Sequence, residues 1–203
     1  MAYLFKYYAP LYDQFMRHFQ LDSNQAIIDS LGSVQGKRIL DLGGGTGTLG
    51  ELLHNKGARV IIVDPSVQMT KIAKEKNQDF IIYNTTLQRG QEVFLEEPVD
   101  IVIIRDTLHH INEQDEVIKL VWSCLKPKGK LLIWEFNWKS IKTKMIWLFE
   151  TLCFEKCSMF TKEKLLKLCN PYFIEERILD TNDFEMLYIG EKGEVCEKAK
   201  AIN

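Results

Sequence analysis

The sequence predicts an α/β fold built on a doubly wound, mostly parallel sheet, with at least one antiparallel strand towards the C-terminal end. Three observations predict it. Short β-branched or apolar runs alternate with helical stretches from Lys37 to about Phe136. Those runs are apolar nearly throughout, as expected of strands covered on both faces. The first run ends at Asp41 and passes into the glycine-rich turn of Gly43, Gly45 and Gly47. A strand, glycine turn and helix in succession is how such sheets bring backbone close to a ligand.

Each element follows from its own residues. The predicted strands are Arg38–Asp41, Arg59–Val63, Asp79–Tyr83, Asp100–Ile104 and Lys130–Phe136. Helices are predicted near Thr48–Lys56, Ser66–Lys76 and Gln114–Leu125. Pro127 and Gly129 form the reversal before the fifth strand. A further helix, Thr161–Cys169, is broken by Asn170-Pro171. Ile174–Asp180 and Phe184–Gly190 read as strands joined by Asp180-Thr181-Asn182-Asp183, a hairpin-like return. The charged tail, Glu191–Asn203, is expected to be mobile.

Two acids define the candidate site. Asp41 precedes the glycines in a D-x-G-x-G-x-G spacing that differs from the dinucleotide pattern G-x-G-x-x-G. An acid there repels pyrophosphate and suits a ligand carrying an ammonium group. Asp64 ends the second strand 23 positions later. An acid about 20 residues beyond a glycine turn accepts from ribose hydroxyls in nucleoside-binding folds. The alternative is that Asp64 caps the following helix, with Pro65 in its first turn.

Composition limits the remaining classes. The 203 residues suit one domain with an ample core, and 46% hydrophobic with 27% charged residues is ordinary for a soluble protein. A net charge of −2 disfavours a nucleic-acid partner, because no basic excess is available to neutralise phosphates. No apolar run approaches transmembrane length, and the start lacks a signal-peptide pattern, so a cytoplasmic protein is expected. Cys124, Cys153, Cys157, Cys169 and Cys196 are odd in number and scattered, as in a reduced intracellular chain. Cys153 and Cys157 would share a helix face at i, i+4. With no histidine nearby in sequence, they read as small core residues rather than a metal or metalloid site, so no metal is expected.

The glycine turn after Asp41, with Asp64, resembles the cofactor motif of the class I S-adenosylmethionine (SAM) methyltransferases. Arg105-Asp106-Thr107-Leu108-His109-His110 is similar to the small-molecule branch of that family. Tyr7-Tyr8-Ala9-Pro10-Leu11-Tyr12-Asp13 resembles the segment that folds over the cofactor in the ubiquinone and menaquinone biosynthesis enzymes. The likeness covers roughly residues 7 to 190 and is closest to the type 11 group. It implies a Rossmann-like, seven-stranded single domain. Residues 1–36 would form a helical lid, 37–136 the SAM-binding core, 137–170 a variable acceptor-side region and 171–190 the terminal strand pair. It further implies that Asp41, Gly43, Gly44, Gly45, Asp64, Pro65, Met69, Asn84, Thr85, Arg105, Asp106 and Tyr12 face SAM, or its product S-adenosyl-L-homocysteine. Where the family often has Asp at the end of the third strand, this chain has Asn84, whose amide oxygen can still accept from adenine. The N/D-P-P-Y signature of base methylation is absent after the fourth strand.

Transfer from a sulfonium needs alignment first, and a base only for an acceptor that must lose a proton. His109 and His110 are the candidate bases. The acceptor is expected to be a small apolar or aromatic molecule. Tyr3, Phe5, Tyr7, Tyr8, Tyr12, Phe15 and Phe19 would surround it, with Asn137, Trp138, Met145, Trp147, Phe149, Phe154, Met159 and Phe160. Ordinary core packing is the alternative for the same residues. Lys139, Lys142 and Lys144 beside the tryptophans suggest peripheral contact with a membrane. The alternatives are a non-catalytic SAM-binding module, a protein methyltransferase and, disfavoured by Asp41, a nicotinamide oxidoreductase. Oligomeric state leaves no signal.

Overall fold

The computed structural model describes residues 13–14, 24–88, 97–152 and 157–193. In chain order the elements are α1 (Gln25–Leu31), β1 (Arg38–Leu42), α2 (Thr48–Asn55), β2 (Arg59–Val63), α3 (Val67–Lys76), β3 (Ile81–Tyr83) and β4 (Val99–Arg105). A 3₁₀ turn, Leu108–His110, precedes α4 (Gln114–Cys124), β5 (Leu125–Phe136), α5 (Ile141–Leu152), α6 (Lys162–Cys169), β6 (Phe173–Asp180) and β7 (Glu185–Lys192).

The sheet order is β3-β2-β1-β4-β5-β7-β6. The first five strands in this order pair in parallel, and β7 runs antiparallel between β5 and β6. This is the expected mixed seven-stranded, Rossmann-like sheet. The period-2 geometry of the strands divides the core into two layers. On one face Leu40, Ile61, Val102, Leu131 and Tyr188 meet Val117 and Val121 of α4 and Leu165 of α6. On the other, Ile39, Val60, Ile62, Ile101, Leu132 and Leu187 meet Ile27 of α1, Leu49 and Leu53 of α2 and Ala73 of α3. A strand buried on both faces has no need of polar alternation, which is why the sequence showed almost none.

Four expectations need correction. Strand β3 is shorter than Asp79–Tyr83, because Phe80 turns into the core as the chain leaves its turn. Strand β5 starts at Leu125. Its pairing jumps from Val99↔Leu125 to Ile101↔Lys130, so Pro127 and Gly129 form a bulge inside the strand, with Lys128 at φ 61°. Glu191 and Lys192 pair with Lys130 and Phe173, so the start of the expected mobile tail is strand. Cys157 is not helical, so it lies on no helix face. Tyr3, Phe5, Tyr7, Tyr8, Tyr12, Phe15, Phe19, Cys153, Phe154 and Cys196 lie outside the described residues.

Candidate active site

The strand order reverses between β1 and β4, so their carboxyl ends diverge and leave a crevice. A cavity of about 240 Å³ occupies it. Each surrounding strand contributes residues at or just past its end. These are Leu42, Gly43 and Gly45 at the end of β1; Val63, Asp64, Pro65 and Ser66 at the end of β2; Thr85 to Gln88 after β3; and Asp106 and Thr107 after β4. Arg105, Met69, His110, Ile111 and Val117 complete the wall.

Asp64 is fixed before any ligand arrives. One carboxylate oxygen accepts the Ser66 N–H at 2.7 Å and the other the Gly45 N–H at 3.1 Å. Burial raises its pKa, and those two N–H groups oppose the rise. The helix cap is Ser66, whose hydroxyl accepts the Met69 N–H, so the capping alternative for Asp64 gives way to an Asx-type turn one step earlier. Each oxygen retains a lone pair for a second donor.

Asp41 lies behind the glycine turn and is 2% exposed. Burial pushes its carboxyl up to about 7, Arg105 pulls it down and the charge of Asp64 adds to the rise. Gly44 is packed against it, since a Cβ there would stand 2.8 Å from the Asp41 carboxylate. Neither Asp41 nor Gly44 lines the cavity wall. Asp106 does, with its backbone at φ 47° and its N–H donating to the Trp134 carbonyl at 3.0 Å. Burial pushes its carboxyl to about 7 as well, against the pull of Arg105, whose Nε lies 3.4 Å away. The Arg105 Nη1 also donates to Asn24 at the start of α1.

A raised carboxyl value sets the sign of a pH effect. Asp41 leaves stability intact below its unfolded value near 3.8 and removes it as pH rises through about 7, because the ionised form is then forced into a buried site. The variant Asp41→Asn stays neutral throughout. Its stability relative to the parent is therefore expected to increase between about pH 4.5 and 7.5 in denaturant titrations. A difference that stays flat, or shrinks, contradicts the burial.

Other expected residues are placed variously. Asn84 is exposed and does not line the cavity. Its amide donates to the Thr70 hydroxyl and, at 3.5 Å, to the Asp64 carbonyl, tying the end of β3 to α3. Asp13 accepts from Thr46 at 2.6 Å and from Thr48 at 3.2 Å, and pairs with Lys76. These contacts pin Asp13 to the end of the glycine turn and the chain just after it, whereas Tyr12 lies outside the described residues. His110 lines the cavity, whereas His109 is 1% exposed beneath it. The described aromatic and methionine candidates of residues 137–160 do not line the cavity: Phe160 is core, Met145 is exposed, and Trp138 packs edge-on against Trp147 at 5.6 Å.

Sequence reasoning missed Glu135. It is fully buried, with Oε2 2.6 Å from His109 Nδ1 and Oε1 accepting the His109 N–H at 3.2 Å. The available signal was an acid inside Leu131-Leu132-Ile133-Trp134-Glu135-Phe136, since a lone charge in a buried strand requires a partner. Thr107 was missed too. Its hydroxyl donates to the Arg105 carbonyl at 2.8 Å, and its side chain fills the space beside Gly43.

Residues 15–172 match a family model described as a methyltransferase domain. An uncharacterized methyltransferase of Staphylococcus carnosus is 30% identical over 151 residues, 70% of each chain. A demethylmenaquinone methyltransferase of Renibacterium salmoninarum is 33% identical over 113 residues, 55% of this chain and 46% of the other. The ubiquinone/menaquinone biosynthesis C-methyltransferase UbiE of Shewanella sediminis is 36% identical over 118 residues, 54% and 47%. The chain thus spans about half the length of these two quinone-pathway relatives. Among solved structures, a SAM-dependent methyltransferase of Thermotoga maritima superimposes with TM-score 0.71 at 18% identity, covering 93% of this chain and 98% of that one. The magnesium protoporphyrin IX methyltransferase of Synechocystis, solved with bound S-adenosylhomocysteine, gives TM-score 0.62 at 19% identity, covering 87% and 83%. These likenesses show the same fold.

Proposed function

We propose, from the premise that this chain belongs to the methyltransferase-domain family and is a SAM-dependent methyltransferase, that its acceptor is a small apolar or aromatic molecule. The observation that carries the proposal is the cavity wall. Leu42, Val63, Leu87, Ile111 and Val117 supply apolar surface, while the acids gather at the strand ends. Carboxylates in a shielded crevice favour a cationic ligand, and SAM brings both a sulfonium and an ammonium group. In this reading Asp64 accepts from the ribose hydroxyls. The glycine backbone lets the nucleoside approach, and Asp41, from behind the turn, sets the field at the methionine end. Pro65, Met69, Thr85, Arg105 and Asp106 are the further cavity residues assigned to the donor.

Displacement at the methyl carbon requires sulfur, carbon and nucleophile in line, so the fold's main contribution is alignment. Where the acceptor has a proton to lose, we assign the base to His110, which lines the cavity, with His109 as its buried neighbour, ring centroids 4.1 Å apart.

The wider surface fits an apolar acceptor. Ile141, Met145 and Leu148 are exposed on one side of α5 at i, i+4, i+7 spacing, with Lys139, Lys142 and Lys144 nearby. Such a stripe suits shallow contact with an anionic membrane, where quinone-like molecules reside. Among the described residues no helix is long and apolar enough to cross a membrane.

The test supplies methyl-labelled SAM with a lipid-soluble extract in anionic vesicles and, separately, with soluble proteins. Label is expected in an organic-soluble small molecule, and the acidic limb of its pH–rate profile should vanish in His110→Ala. Label confined to protein would refute the acceptor class, and an unchanged limb would remove His110.

A further inference from the structure

The 3₁₀ turn after β4 and the chain entering α6 are joined by one backbone hydrogen bond, Ser158 N–H donating to the His109 carbonyl at 2.7 Å. That bond brings three metal-ligating side chains together from positions far apart in sequence. One donor atom from each of His109, His110 and Cys157 lies within 4.8 Å of the other two. Cys157 Sγ and His110 Nδ1 lie 3.4 Å apart. Ligands sharing a tetrahedral zinc ion, with bonds of about 2.05 Å to nitrogen and 2.3 Å to sulfur, stand about 3.6 Å apart. The Cys157–His110 spacing is already close to that value.

Glu135 gives the second, independent indication. Its carboxylate holds His109 at Nδ1 and at the backbone N–H, with both side chains at 1% exposure or less. A carboxylate on one ring nitrogen is the usual way a ligating imidazole is oriented, because it fixes the tautomer and directs the lone pair of Nε2 outward. Nothing in donor binding calls for a buried carboxylate and imidazole at this place, and an ion pair in the core carries a desolvation cost.

We propose that His109, His110 and Cys157 form a site for one divalent ion of the zinc class, with Glu135 orienting His109 from behind. One thiolate and two imidazoles are a donor set that borderline-soft ions prefer over magnesium or calcium, which take oxygen ligands. Three protein ligands leave a fourth position for water. Because His110 stands in the cavity wall, the ion sits at the edge of the same cavity. With metal bound, the His110 lone pair would belong to the ion, which would then take over from His110 in promoting deprotonation: a hydroxyl or thiol at the fourth position would have its pKa lowered and lose its proton to solvent water. The site does not depend on the acceptor class proposed above.

The full-length protein, reduced and stripped with a chelator, is titrated with Co²⁺ as a coloured substitute for zinc. One equivalent is expected to bind, showing the visible bands of tetrahedral coordination and a near-ultraviolet thiolate-to-cobalt charge-transfer band, both displaced by Zn²⁺. Cys157→Ser should abolish the charge-transfer band. Because Cys157 is part-exposed, this variant should fold, and a circular dichroism spectrum checks it. Cys124→Ala, altering a core thiol on α4, should keep the band. Glu135→Gln should weaken Co²⁺ binding about tenfold or more while the band persists at saturation. Absence of a charge-transfer band in the parent, or its survival in Cys157→Ser, overturns the proposal.

Discussion

Asp64→Ala is expected to weaken SAM binding about 100-fold or more in calorimetry. The carboxylate is buried at the end of β2 and pre-aimed by the Gly45 and Ser66 N–H groups, so it pays little reorganisation when a ligand arrives. In the proposed pose it accepts from two ribose hydroxyls. A hydrogen bond to a charged group contributes about 1.5–3 kcal/mol, and two of them correspond to two or more decades in Kd after partial replacement by water. Alanine also strands the two backbone donors, which disturbs the turn. Asp64→Asn separates the effects: it keeps one acceptor oxygen, should retain the melting temperature more closely, and should bind with intermediate affinity. S-adenosylhomocysteine shares the ribose and should lose affinity in parallel. An isotherm for Asp64→Ala that matches the parent would refute the assignment, and tight binding of a nicotinamide dinucleotide by the parent would undo the reading of the whole crevice.

Gly43→Ala should destabilise the fold by about 3 kcal/mol, read as a lower denaturation midpoint at unchanged slope. Two causes add. Gly43 has φ +76°, where a side chain costs about 1 kcal/mol. Its Cβ would also stand 2.2 Å from the Thr107 hydroxyl oxygen and 2.4 Å from its methyl group, an overlap that typically costs 1–3 kcal/mol to relieve. Gly36 provides the control. Its φ is +71°, yet no atom lies within 4 Å of a Cβ there, so Gly36→Ala should cost only the conformational part. Thr107→Ala removes the two closest atoms, and the double variant should therefore lose less than the sum of the singles. Additive losses, or equal losses at Gly36 and Gly43, would show that steric contact with Thr107 is not the cause. The contact has a functional side, since Gly43 and Thr107 both line the cavity. A displaced turn should weaken donor binding as well.

Much of the crevice at the strand ends was legible before any fold was known. Asp41, the glycine spacing and Asp64 are tied to single strand ends, and in a parallel sheet all such ends face one edge. The acceptor side was less legible. The aromatic run of residues 137–160 carries the same helical pattern whether it faces a cavity, the core or solvent. The described members divide between core and surface, as Phe160 and Met145 show. The two adjacent histidines looked equivalent in sequence, yet one ring is buried against Glu135 and the other reaches the cavity.

The sequence by itself determined the alternation of strand and helix, the two-faced burial of the strands and the edge of the sheet at which the cavity opens. These depend on contacts within a few residues and on which face of one element is apolar, so local order encodes them. Only the tertiary structure decided that β7 enters between β5 and β6, that Glu135 meets His109 across 26 positions, and that Cys157 meets His110 across 47. Such meetings follow from the order in which strands pair and from where the connecting chain crosses. Neighbouring residues carry no record of either, because the free energy that fixes them is shared across the whole sheet.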